Sequence, residues 1–152
     1  MKNVLELLER TAARLPRQTA FADQQCSYDY QTVVNIAGSV GSALAANGDR
    51  NCPVAVLMER GAPCLVTLMG VLYSGNFYVV LDPEMPAERV NKILRTLQPT
   101  ALICDEAHKD DPAGLDYDGK VYSAEALAAG QAQPELLQTV RRRMIDTDPA
   151  YA

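Results

Sequence analysis

The sequence predicts an open, doubly wound α/β fold: a mainly parallel sheet with helices on both faces. Three apolar runs, Val54–Met58, Phe77–Leu81 and Thr100–Cys104, have the length and the β-branched and aromatic content of strands covered on both sides. Between them lie stretches with helical apolar spacing, about a dozen residues long, the length of a crossover joining parallel neighbours. Gly75, Pro83 and Pro99 punctuate these runs and stop each element sharply.

The elements follow in chain order. Asn3 to Arg14 reads as a first helix with Val4, Leu7, Leu8 and Thr11 as its inner stripe, closed by Pro16. Thr19–Asp23 and Cys26–Tyr28 are predicted to pair as a hairpin around Gln24 and Gln25. Asp29 opens a longer helix, Tyr30 to about Ala46, stopped by Asn47-Gly48, with Val33, Ile36, Ala37, Val40 and Leu44 on one face. Gly38 and Gly41 each lower helix propensity by about 1 kcal/mol relative to Ala, so close packing of a neighbour is expected there. The next helix carries Leu65, Leu68, Met69 and Leu72 on its face, and Gly75 suits a left-handed cap. A helix from Pro86 to Leu97 ends before Pro99.

Downstream, the acidic, turn-rich Asp105–Gly119 reads as a surface loop and Lys120–Tyr122 as an edge strand. Ala124–Ala129 reads as a short helix ended by Gly130, Glu135–Arg143 as a helical turn or two, and Met144–Ala152 as an extended segment. The expected organisation is one domain spanning 1–152, since 152 residues hold one real core and not two comfortable ones.

Composition narrows the partners. Hydrophobic content of 48% with 22% charged residues is that of an ordinary globular protein. The net charge of -5 argues against nucleic acid and against an anionic membrane surface. Arg141-Arg142-Arg143 reads as a solvated helix end. No apolar run approaches the ~20 residues of a membrane span, and Met1–Arg14 lacks the apolar core of a signal peptide. Cys26, Cys52, Cys64 and Cys104 form no C-x-x-C pair, which favours reduced thiols in a cytoplasmic protein.

Chemistry-bearing residues are sparse. Gly70 to Gly75 has the glycine spacing of a phosphate loop, but Asn76 and Phe77 stand where Lys and Ser/Thr would neutralise phosphate. No G-x-G-x-x-G occurs. His108, the sole histidine, sits among carboxylates in Glu106–Asp110, and without a second His it reads as a solvated loop residue. Cys64 and Cys104 fall in apolar runs and read as inert core thiols; Cys26 and Cys52 lie nearer turns. Asp82, at the C-terminal end of a strand, and Arg89 are the leading polar pair. The favoured reading is that Asp82 caps the following turn and Arg89 holds it. No catalytic and no metal-ligating residue is assigned, and cofactor contacts stay open.

The stretch Leu72-Tyr73-Ser74-Gly75-Asn76-Phe77-Tyr78-Val79-Val80-Leu81-Asp82-Pro83, followed by Pro86 and Arg89, resembles the second core motif of the adenylate-forming (AMP-binding) superfamily. Its pattern is Leu-Lys-Ala-Gly-x-Ala-Tyr-Val-Pro-Leu/Ile-Asp-Pro, and amino-acid adenylation domains and D-alanine-carrier ligases are most alike. Tyr73 replaces the usual Lys, Ser74 and Phe77 the usual Ala, and Val80 the usual Pro. Ser27-Tyr28 is similar to the first core motif, with Cys26, Tyr30 and Gln31 where Leu, Glu and Leu are usual.

The resemblance implies the N-terminal portion of an enzyme that makes an acyl-AMP from ATP, with Mg, and a carboxylic or amino acid. The acyl group then passes to a thiol of a phosphopantetheine carrier protein or coenzyme A. It places Asp146–Ala152 just before the family's Ser/Thr/Gly-rich phosphate loop, so this chain alone is expected to be inactive and to partner the remainder of its parent. Alternatives are a free-standing α/β nucleotide or small-molecule module with its site near Asp82 and Asp105, and an assembly module that forms a homodimer through an open sheet edge.

Overall fold

The computed structural model describes residues 3–152. Helix α1 is Val4–Arg14, strands β1 (Thr19–Ala22) and β2 (Ser27–Asp29) form a hairpin, and α2 is Tyr30–Ala45. Then β3 (Pro53–Leu57), α3 (Ala62–Tyr73), β4 (Phe77–Leu81), α4 (Ala87–Leu97) and β5 (Ala101–Cys104) alternate. Short 3-10 turns at Glu106–His108 and Asp111–Gly114 lead to β6 (Lys120–Ser123), α5 (Ala124–Ala129) and α6 (Pro134–Arg143).

The four later strands form one parallel sheet in the order β4-β3-β5-β6. In register, Val56 lies between Val80 and Ile103, so β3 is central, as its unbroken apolar run requires. Alternate side chains point to opposite faces. Val54, Val56, Met58, Ala101 and Ile103 pack with Val40, Leu44, Leu68 and Val71 of α2 and α3. Ala55, Leu57, Val79, Leu81 and Leu102 pack with Val90 and Leu94 of α4 on the other face. The predicted doubly wound architecture is therefore present, with β6 at one edge.

Two glycines explain how α2 and α3 meet. A Cβ on Gly41 would lie 2.5 Å from Tyr73 Cβ, and one on Gly70 would lie 2.5 Å from Val40 Cβ. Neither helix could approach so closely with a larger residue at either point. Gly75 takes φ +80° as the expected left-handed stop.

Several sequence expectations shift. The buried stripe of α1 is Leu5, Leu8 and Ala12, while Val4 and Leu7 are 45% and 48% exposed. Both stripes are apolar, and packing against α2 and α3 selects the one rotated by a residue. Leu65, expected on the inner face of α3, is exposed, while Leu68 and Leu72 of the same predicted face are buried. α6 is a full helix of 10 residues. The last segment is not free: Tyr78 N–H donates to Ala150 O (3.0 Å) and Ala152 N–H to Tyr78 O (3.1 Å), so Tyr151 forms a parallel bridge beside β4. The Tyr78 and Tyr151 rings stack at 6.2 Å.

Candidate functional site

Open parallel sheets place ligands beyond the C-terminal ends of their strands. Here that rim collects Glu59 and Arg60 after β3, Asp82 after β4, Asp105 after β5 and Glu125 just after β6. Asp23, on the hairpin, reaches the same rim. Two clefts open there. One of about 250 Å³ includes Asp23, Glu59, Arg60, Asp105 and Glu125; the other, about 300 Å³, includes Leu57, Asp82, Val90, Asp111 and Leu115.

Asp82 behaves as the turn cap expected of it. Its Oδ1 accepts from Glu84 N–H at 3.0 Å, while Oδ2 accepts from Arg60 at 2.7 Å. The Glu84 amide and then Arg60 hold its carboxyl below the usual carboxylate range. The predicted partner, Arg89, is the wrong arginine. It stands beside the buried Val90 on α4, one position round the helix, and faces solvent. Arg60 approaches instead from the neighbouring strand, a relation visible only once β3 and β4 are paired.

Asp105 ties β5 to its neighbours. Its Oδ2 accepts from Glu59 N–H at 2.9 Å and its Oδ1 from His108 N–H at 3.1 Å. His108 is consequently not a solvated loop side chain. It is 17% exposed, with Nε2 2.8 Å from Glu59 Oε1 and Nδ1 2.8 Å from Asp111 Oδ2. Hydrogen bonding to Glu59, then to Asp111, raises its pKa above the ordinary 6.5. Glu59 is 49 residues upstream, so nothing near His108 in the chain signals the contact.

At the start of α3, Ala62 N–H donates to Asp23 Oδ2 at 2.8 Å, and Gln25 and Cys26 N–H donate to Asp23 Oδ1. These three amides, Ala62 foremost, bring the Asp23 carboxyl down to about 2. The positive end of α3 is thus occupied by a carboxylate of the chain itself.

Cys64 and Cys104 are buried, and burial raises both thiols above their ordinary value. Cys26 and Cys52 are half-buried, with sulfurs hydrogen-bonded to Asp23 Oδ2 and Arg50 O. Among the described residues no group of three or more His, Cys, Asp and Glu is arranged to hold a metal ion. No helix there is long and apolar enough to cross a membrane. Of the arginine cluster, Arg141 departs from the solvated expectation, being 22% exposed and bonded to Glu9.

A family model described as AMP-binding enzyme matches residues 8–151. A plipastatin synthase polypeptide from Bacillus subtilis (strain 168) is 27% identical over 135 residues, covering 88% of this chain and 4% of that protein. The chain superposes with a TM-score of 0.80 and 22% identity on the nonribosomal peptide synthetase FmoA3 in its alpha-methyl-L-serine-AMP bound form, covering 97% of this chain and 16% of that one. It also superposes on the Klebsiella oxytoca NpsA N-terminal subdomain in complex with 3-hydroxybenzoyl-AMSN, with a TM-score of 0.76 and 18% identity over 99% of this chain and 37% of that one. The chain spans 4%, 16% and 37% of the lengths of these three proteins, and it resembles the N-terminal part of adenylation domains.

Proposed function

The chain belongs to the AMP-binding enzyme family, and from that premise we propose that it is the N-terminal piece of an ATP-dependent, AMP-forming acid–thiol ligase of the nonribosomal peptide synthetase kind. The parent activates an amino or other carboxylic acid as its acyl-AMP and hands the acyl group to a carrier's phosphopantetheine or to coenzyme A. This piece supplies the parallel sheet on which the rest of the ligase is built; it does not carry out adenylation by itself.

One observation carries the second half of the proposal: the strand rim does not fit a nucleoside triphosphate. Asp23, Glu59, Asp105 and Glu125 line one cleft against Arg60, and Arg60 is already paired with Asp82. The amide at the start of α3, which would otherwise face an anion, donates to Asp23. A triphosphate in this cleft would meet like charge, with no unpaired cation among the described residues lining it. The lining of this cleft supports the reading that the parent's phosphate-binding groups are not those of this rim.

The test is amino-acid-dependent ATP–pyrophosphate exchange, run with thermal unfolding in millimolar Mg-ATP and light scattering for mass. The proposal expects no exchange and no saturable rise in Tm, since only native-state binding raises stability. Exchange with any amino or fatty acid would overturn it. A saturable Tm shift would favour the nucleotide-binding module instead.

A further inference from the structure

The arrangement around His108 asks for a charged ring. A neutral imidazole has one N–H, so only one of its nitrogens can donate. In this structure each nitrogen lies 2.8 Å from a carboxylate oxygen, Nε2 from Glu59 and Nδ1 from Asp111. With a neutral ring, one of these contacts would set a lone pair against a carboxylate oxygen. Both are favourable only in the imidazolium.

The elements joined are distinct. Glu59 follows β3, His108 ends one 3-10 turn and Asp111 begins the next. Glu59 lines the cleft of about 250 Å³ and Asp111 the cleft of about 300 Å³, so the Glu59–His108–Asp111 bridge stands between them. Arg60–Asp82 is a second bridge between the same two clefts. The other charged groups close by are Asp105, which accepts the His108 amide, and Glu106, paired with Lys109. Glu125 of α5 accepts the Glu106 amide. The surrounding charge is predominantly acidic and favours the imidazolium.

We propose that His108 is a proton-operated latch, which in its charged form fastens the Asp105–Leu115 segment across the ends of β3 and β5 and on losing its proton releases one carboxylate. The latch is independent of the ligase assignment. A metal does not serve instead, because the two ring nitrogens face apart and their carboxylates cannot converge on one ion. The raised pKa puts release above the ordinary 6.5.

The experiment is an NMR pH titration of the His108 ring in the 152-residue chain, its Glu59→Gln and Asp111→Asn variants, with amide protection factors for Glu106 and His108. The expected result is a midpoint above 6.5, lowered by each variant, with protection falling about fivefold as pH passes it. His108→Gln should give low protection at every pH. A midpoint at or below 6.5, a midpoint moved by only one of the two carboxylates, or protection indifferent to the titration would overturn the proposal.

Discussion

Arg141 of α6 donates two hydrogen bonds to Glu9 of α1, at 3.0 and 3.2 Å, although 132 residues separate them. The same Glu9 carboxylate accepts from the buried Tyr73 hydroxyl at 2.9 Å, and the guanidinium carbon lies 5.5 Å over the Tyr73 ring. One carboxylate therefore joins α1, α3 and α6. The Tyr73 phenol is pushed well up, by burial first and by Glu9 next.

Glu9→Gln is expected to cost about 1 kcal/mol, since the forked pair is charge-assisted but Glu9 remains partly exposed. Arg141→Lys should lose most of the same amount, because an ammonium cannot match both oxygens at once. Urea unfolding would check both; midpoints within error of the parent chain would show that the fork is an onlooker.

Gly41→Ala should be far more damaging. The new methyl would sit 2.5 Å from Tyr73 Cβ and 3.0 Å from the Gly70 carbonyl, and neither can swing away. A loss of about 2–3 kcal/mol is expected from forcing α2 off α3. Gly48→Ala meets nothing within 4 Å but must hold φ +81°, so about 1 kcal/mol is expected from backbone strain alone. Gly114→Ala, also in open space, should be near neutral. Thermal unfolding of the three variants would rank them, at about 2–4 °C per kcal/mol for a chain of this size.

Asp23 predicts an acid response. Its folded pKa of about 2 lies below the ordinary 3.8, so its contribution is present above 3.8 and is lost as pH falls toward 2. Asp23→Asn cannot accept all three amides and should make the fall in stability over that interval shallower. Urea midpoints measured across the interval decide it, and an unchanged slope would remove Asp23 from the acid response. His108 runs the other way. Its raised pKa gives stability that is complete below 6.5 and lost as pH rises through the folded value.

Arg60→Ala should barely register, because the Arg60 side chain is 88% exposed beside Asp82. A double-mutant cycle with Asp82→Asn is expected to give a coupling no larger than that of an ordinary exposed ion pair. A larger coupling would mean that the Arg60–Asp82 bridge holds the rim together.

β3 and β5 were legible because a strand covered on both faces must be apolar throughout, and Val54–Met58 and Thr100–Cys104 announce themselves that way; Phe77–Leu81 has the same composition but forms the edge strand β4, where Val80 is 45% exposed. Gly41 was legible for a related reason: a helix accepts so poor a helix former only where something presses against it. The inner face of α1 was not, because Val4-Leu7 and Leu5-Leu8 are both apolar pairs at helical spacing. Only the partner helices distinguish them. The polar rim was hidden by sequence distance. Arg60 and Glu59 meet Asp82 and His108 across strand pairings, and no local pattern marks which of two arginines will face a carboxylate. Asp82 itself was found because its cap is local, two residues away at Glu84.

The bridge at Tyr151 gives the chain a heading. Because it is parallel to β4, the backbone at Ala152 travels in the same sense as Phe77–Leu81, toward the rim where Asp82 and Asp105 stand. A fluorophore or peptide joined to Ala152 would therefore be launched along the outside of β4 toward the clefts, and not away from them. That makes Ala152 a natural vantage point for a distance-dependent probe of the His108 loop, with the sheet itself serving as the ruler.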